Sequence, residues 1–237
     1  MDRSAANFQR LRGKNNIAVP QVIVHGKFEI VDRHDLELIS AAGAIYSNIN
    51  DMGKWVIMQL NRGRYGDDDK QLFIADVHKE LWTPQTKIAR SIGGINNTHF
   101  NNYGLGWRLR DENGYLQASH TGGLSGMVTQ VTLLPELSLW IVVLTNQRSR
   151  EAFISITNYV KDLYLRITGT DHIRQNYEDY LSYFNTTSEK VQKGWDAVYE
   201  KIGKPEFQPE SYSGYLELLW TTGSGRYQYW KNGQNEG

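Results

Sequence analysis

His120, Thr121, Gly122 and Gly123 stand in a row, bringing together an imidazole, a hydroxyl and two backbone amides that no side chain shields. Imidazole changes charge near neutral pH and both donates and accepts hydrogen bonds, so it suits proton transfer or the stabilisation of charge. The bland form of the same string is a histidine at a strand end followed by a glycine turn. The other histidines, His25, His34, His78, His99 and His172, form no His-x-x-x-His pair and no carboxylate cluster at ligand spacing. Neither a metal nor another cofactor is expected.

The flanking segments place this string beside a sheet. Tyr103 to Leu109 and Tyr115 to Ser119 read as strands joined by an Asp111-Glu112-Asn113-Gly114 turn, and Val128 to Leu134 and Leu139 to Thr145 read as a hairpin around Pro135-Glu136. Upstream, Val22 to Val31 alternates as a strand or a hairpin about His25-Gly26. Ile49, Met52, Trp55, Val56 and Leu60 then recur at helical spacing, with Asn48 or Asn50 as the cap and Asn61 to Gly63 as the stop. Such a face is core, although its Met and Trp could instead line a groove.

Ile74 to Trp82 reads as a short helix ended by Thr83-Pro84, and Ile92 to Asn102 as a Gly- and Asn-rich loop. In that loop Asn96, Asn97, His99 and Asn101 are candidate substrate contacts, with turn chemistry the equal explanation for the asparagines. Phe153, Ile156, Val160 and Leu163 mark a helix that ends near Gly169 and should lay its apolar stripe on the sheet. Asp171 to Ile202 is a more polar helical stretch, with Val191, Trp195, Val198 and Ile202 on one face and a capping-box start at Thr186 to Glu189.

Three strings in order, Tyr103-Gly104-Leu105-Gly106-Trp107, His120-Thr121-Gly122-Gly123 and Leu134-Pro135-Glu136, resemble the closing strands of serine β-lactamase-related hydrolases, a group that includes penicillin-binding carboxypeptidases and esterases. A second block, Ala42-Gly43-Ala44-Ile45-Tyr46-Ser47 with Asp51-Met52 and Trp55, resembles the glycine turn and helix that precede those strands. Short Gly-rich strings match by chance, but two ordered blocks are far more specific. The resemblance spans roughly residues 15 to 168.

It implies an α+β fold, an antiparallel β-sheet flanked by helices, and cleavage of an amide or ester through an acyl-enzyme. By the same resemblance, His120 faces the nucleophile's hydrogen-bond network and Thr121 bonds a substrate carboxylate or carbonyl. Gly122 lets the substrate approach the strand, and the Gly123 amide forms half of an oxyanion hole. The family's attacking Ser-x-x-Lys has no counterpart, since no serine here is followed three residues later by lysine. Tyr46-Ser47-Asn48 has the spacing of the family's Tyr-x-Asn but lies inside the glycine block, where a strand end and helix cap explain it. Gly123-Leu124-Ser125-Gly126 lacks the spacing of a nucleophile elbow.

The resemblance thus points to the C-terminal portion of such a hydrolase over residues 1–168, a helical linker over 169–204, and the truncated start of an appended small β-domain over 205–237, opened by Tyr212-Ser213-Gly214-Tyr215. The alternative is a non-catalytic module that binds peptide or glycan in the same groove. Lys plus Arg and Asp plus Glu number 26 each, which gives no net field to favour nucleic acid. The absence of cysteine excludes disulfides and thiolate chemistry. The longest apolar run, Leu139 to Leu144, is too short to span a bilayer, and no signal peptide is evident; relatives nonetheless act in the periplasm or outside the cell. An incomplete sheet would leave an edge open to self-association.

With no Ser-x-x-Lys, the purified chain is expected to form no covalent adduct with a fluorescent penicillin or a fluorophosphonate. Intact-mass spectrometry checks this, and a stoichiometric adduct on any serine would refute it.

Overall fold

A computed structural model of the chain describes residues 1–24, 27–33, 40–88, 98–124, 126–148 and 150–202. In chain order its elements are β1 (Gln21–Val24), β2 (Lys27–Ile30), α1 (Ser40–Gly43), α2 (Ile49–Leu60), β3 (Arg64–Tyr65), β4 (Lys70–Gln71), α3 (Ala75–Leu81), β5 (Thr86–Lys87), β6 (Asn101–Tyr103), β7 (Arg108–Glu112), β8 (Tyr115–Leu124), β9 (Met127–Leu134), β10 (Leu139–Thr145), α4 (Arg150–Leu165) and α5 (His172–Ile202). Six strands form one antiparallel sheet in the order β10-β9-β8-β7-β6-β5. The expected antiparallel sheet flanked by helices is present.

Register fixes which residues share a face, because directly paired residues in an antiparallel sheet project to the same side. Leu109 pairs with Ala118, and Ala118 with Leu133. These three meet Val56 of α2 and Trp107 in one buried cluster. On the other face, Leu134, Leu139, Ile141 and Val143 pack with Phe153 of α4. The sheet is therefore sandwiched between α2 and α4, and each fully buried aliphatic side chain contributes about 1.5–3 kcal/mol relative to exposure.

Several sequence expectations hold at their boundaries. The β1–β2 hairpin forms as Gln21↔Ile30 through Val24↔Lys27, while its His25-Gly26 tip lies outside the described residues. Asn48, not Asn50, caps α2, its side chain accepting from the amides of Asn50 and Asp51. The helix face is largely core: Trp55 stacks on Trp107 with ring centroids 5.5 Å apart, although Ile49 is exposed.

Others are corrected. Tyr103 to Leu109 is not one strand; Tyr103 ends β6 and Arg108 opens β7, and the two pair with each other across Gly104–Trp107. Gly104 is pressed against the Leu81 carbonyl, which an added Cβ would meet at 2.5 Å, and Gly106 sits at φ +81°. These two glycines turn the chain where alternation suggested continuity. Asp111 and Glu112 belong to β7, paired with Leu116 and Tyr115. The turn is only Asn113-Gly114, at φ +53° and +88°, the left-handed pair of a two-residue hairpin. Finally, α5 runs unbroken through Thr186 to Glu189, so no helix starts there. Its start is at His172, where the Asp171 carboxylate accepts the Arg174 amide at 3.0 Å. The side chains of Val191, Trp195, Val198 and Ile202 lie outside the described set, as do residues 203–237.

The helix α4 departs from expectation most. Phe153 packs against the sheet cluster with Val160 beside it, but Ile156 and Leu163 face solvent. Turned inward instead are Thr157 and Lys161, the latter only 1% exposed. Its Nζ donates to Glu112 Oε1 at 2.7 Å and to Gln117 Oε1 at 3.3 Å, and Arg110 closes on the second Glu112 oxygen at 2.7 Å. Burial lowers the pKa of the Lys161 ammonium, and the Glu112 carboxylate opposes that shift. Asp162 and His172, 2.6 Å apart and buried, tie α4 to α5.

Removing one partner of a buried ion pair typically costs about 3–5 kcal/mol by stranding the other charge, and Arg110, which stays on Glu112, places loss of Lys161 at the lower end of that range. Lys161→Ala is therefore expected to lower unfolding stability by about that amount in urea titration. A loss within about 0.5 kcal/mol, the range of a surface substitution, would show that the network does not hold the helix in place.

Candidate active site

The strand β8 is ten residues long and its neighbour β7 is five. Their ladder runs from Tyr115↔Glu112 to Ser119↔Arg108 and stops there. On its other side β8 stays paired with β9 to the end, through His120↔Val131, Thr121↔Gln130, Gly122↔Thr129, Gly123↔Val128 and Leu124↔Met127. The motif His120–Gly123 therefore occupies the overhanging part of the strand, with no described strand on its β7 side. All four of its residues are exposed, whereas Gln117, Ala118 and Ser119 just before them are buried. The sequence places the four chemical groups together, and the mismatch in strand length opens one backbone edge beside them.

Tyr103 reaches this overhang from β6, past the end of β7. Its hydroxyl and His120 Nε2 share a 2.8 Å hydrogen bond, and the rings meet edge-on with centroids 6.0 Å apart. A hydroxyl bonded to Nε2 restrains the ring's orientation, and because a phenol both donates and accepts it serves either neutral tautomer. The sequence reading used Tyr103 only as part of a motif string. Nothing in local spacing links residues 17 positions apart, and only the β6–β7–β8 register brings them together.

The two glycines have different surroundings. A Cβ on Gly122 would come within 2.6 Å of Thr129 Oγ1, its cross-strand partner, while a Cβ on Gly123 would meet nothing within 4 Å. Glycine at 122 is thus accounted for by packing inside the sheet, in addition to any approach by a ligand. Gly123 has the open surroundings that a backbone donor facing a ligand requires.

The other candidates take structural positions. His99 Nδ1 lies 2.5 Å from Asp111 Oδ2, and the amides of His99 and Phe100 donate to Asp111 Oδ1 at 2.6 and 2.9 Å. Burial alone would raise the Asp111 pKa, but these bonds and the His99 ring outweigh it and hold the carboxyl below its ordinary 3.8. Asn101 sits in β6 opposite Arg110, away from the overhang, and Asn96 and Asn97 lie outside the described residues. Tyr46 exchanges both backbone bonds with Ala5, Ser47 Oγ meets Ser4 Oγ at 2.8 Å, and Asn48 caps α2. The helix cap is as the sequence suggested, but in place of a strand end Tyr46 forms an isolated bridge with Ala5. Ser125 lies outside the described residues.

Among the described residues no group of three His, Asp or Glu side chains is placed to hold a metal, and no helix is long and apolar enough to cross a membrane. A cleft of about 860 Å³ opens elsewhere, between Phe8, Arg12, Pro20, Val31, Arg33 and Tyr46. None of His120–Gly123 lines it.

The beta-lactamase family model matches residues 3–165, more than half of the chain, and the protein belongs to that family. Among solved structures, an octameric penicillin-binding protein homologue from Pyrococcus abyssi is similar in fold, with a TM-score of 0.56 at 20% sequence identity. The similarity covers 70% of this chain and 34% of the homologue, so the chain spans about a third of that protein's length. No curated protein matches the chain in sequence.

The contrast between the glycines is measurable. Gly122→Ala is expected to lower stability by about 1–3 kcal/mol, the usual cost of overpacking, whereas Gly123→Ala should be neutral or slightly stabilising. Thermal melts of the two variants check this, and equal losses at both positions would contradict the cross-strand explanation.

Proposed function

We propose that this chain supplies the substrate-binding strand and half of the oxyanion hole of a serine hydrolase that cleaves an amide or ester through an acyl-enzyme. The observation that carries this reading is the Tyr103–His120 hydrogen bond at the overhang of β8, where an exposed imidazole stands beside an open strand edge. In the proposed reaction a serine hydroxyl outside this chain attacks the substrate carbonyl. A C–O bond forms, the carbonyl oxygen becomes an oxyanion, and the amine or alcohol departs with a proton. Water then hydrolyses the acyl-enzyme.

His120, oriented by Tyr103, assists proton transfer or steadies developing charge, and Thr121 bonds the substrate's carboxylate or carbonyl. Gly122 keeps the groove shallow. The Gly123 amide points at the oxyanion, a contribution worth about 2.7–4 kcal/mol of transition-state stabilisation for one donor. On this reading residues 1–168 are the C-terminal portion of the hydrolase domain and the helix that follows is a linker; the chain alone is inactive.

Two further points belong to the reading. The open sheet edge makes the chain self-associate, a view supported by the octameric description of the Pyrococcus homologue. Because no serine here carries the Ser-x-x-Lys pattern, the competing reading is a module whose overhang binds a peptide or glycan without chemistry.

In a longer protein that joins this chain to an upstream segment with Ser-x-x-Lys and Tyr-x-Asn, His120→Ala should slow turnover of an ester reporter by about 10²–10⁴-fold without moving the melting temperature. His99→Ala is the control and should leave turnover intact. Full turnover with a lowered melting temperature in the His120 variant would make the histidine structural and favour the binding module.

A further inference from the structure

We propose that His78 is a positioning residue for the Tyr103–His120 pair: uncharged, it fastens α3 against the turn that carries Tyr103, and on taking up a proton it releases that hold. The proposal rests on the reading of this pair as the working end of the site and adds a support that acts on it through α3. Tyr103 closes β6, and the segment that follows α3 grips its main chain. The Gln85 amide donates to the Tyr103 carbonyl at 2.8 Å, and Thr86 pairs with Tyr103 between β5 and β6. The Leu105 amide donates to the Leu81 carbonyl at 3.0 Å, and a Cβ on Gly104 would meet the carbonyls of Leu81 and Thr83 at 2.5 and 3.1 Å. The place where α3 ends therefore sets the place of Tyr103.

His78 is the buried residue of this seven-residue helix. Its ring stacks on Phe73 with centroids 6.3 Å apart and meets Trp82, the residue that caps α3, at 4.5 Å. Trp82 meets Trp107 edge-on at 5.7 Å, and Trp107 stacks on Trp55 of α2. The imidazole is thus one link in a row of rings that ties α3 to the buried cluster around Trp107 and Leu109.

This row suits an uncharged imidazole. His78 Nε2 is buried and, among the described residues, has no hydrogen-bond partner, so a ring protonated on both nitrogens would carry one N–H with no acceptor. The faces of Phe73 and Trp82 attract a cation, but they do not replace the water that an imidazolium loses on burial. Of the charged groups around the ring, Arg62 at the end of α2 repels the proton, while Asp76, Lys79 and Glu80 of α3 itself are exposed. Burial lowers the pKa of His78, Arg62 adds to the shift, and the Gln59 main-chain carbonyl opposes it. The hold is therefore complete above the ordinary value of 6.5 and is lost as the pH falls below it through the lowered value.

The test uses the full chain with isotope-labelled histidine rings. Long-range proton–nitrogen spectra, each histidine assigned by its substitution, follow the rings from about pH 8 to about pH 4.5. His120 is expected to show two inflections, its own and a second that coincides with the midpoint of His78. His78→Phe keeps a ring in the row and takes no proton, so it should abolish the second inflection and leave the first. His78→Gln, smaller and equally unable to charge, should do the same, with circular dichroism to check the fold. Tyr103→Phe should also abolish it while His78 still titrates, and His99→Gln should leave both inflections. A His120 curve with no inflection at the His78 midpoint would overturn the proposal, as would a His78 ring that stays uncharged at every pH. So would a second inflection that survives Tyr103→Phe or both His78 variants, or that vanishes in His99→Gln. The wild-type comparison decides even where a variant fails to fold. Because these spectra need no turnover, a negative result leaves the acyl-transfer reading to its own test on His120→Ala.

Discussion

The ion pair between Lys161 and Glu112 is the constraint around which the described structure is arranged. It joins the helical layer to the sheet at a point where neither group reaches water, so the helix can take only the rotation that keeps ammonium and carboxylate in contact. A one-turn slip of α4 would leave the Lys161 ammonium without its carboxylate and Glu112 with Arg110 alone. From Lys161 the polar contacts continue through Gln117, whose amide donates to Ser119 Oγ at 3.3 Å. Ser119 is the last residue of β8 paired with β7 and the one immediately before His120. The buried network thus ends where the candidate site begins, and a shift of one residue in β8 register would turn Gln117 away from the lysine.

The site itself follows from a difference in length. The β7–β8 ladder stops at Arg108–Ser119, while among the described residues β8 continues for five more residues paired with β9 alone. One edge of the motif is therefore anchored and the other presents backbone groups to whatever lies beside it. Tyr103 supplies the only described side-chain hydrogen bond to His120.

Much of this was legible in the sequence because the signals are local. Strand patterning marked β9, β10 and the first half of β8, apolar spacing marked α2, and a turn was expected over Asp111-Glu112-Asn113-Gly114, of which only the last two residues form it. The errors share a cause. Gly104 and Gly106 turn the chain because Gly104 must lie against the Leu81 carbonyl, a contact between segments more than twenty residues apart. The outward rotation of Ile156 and Leu163 reflects the partners of Lys161 on β7 and β8. The bond between Tyr103 and His120 depends on three strands in register. Hydrophobic periodicity describes how one segment partitions between water and core, and it contains nothing about a charge waiting on another element.

Because the overhang of β8 is hydrogen-bonded along one seam only, it can open locally without melting the core pairs Leu109–Ala118–Leu133, and its opening free energy lies below that of the sheet as a whole. An extended backbone laid along the free edge would add the missing half of the ladder. Any backbone added along that edge would therefore also raise the free energy needed to open the strand, and the mobility of the His120 imidazole would fall with it.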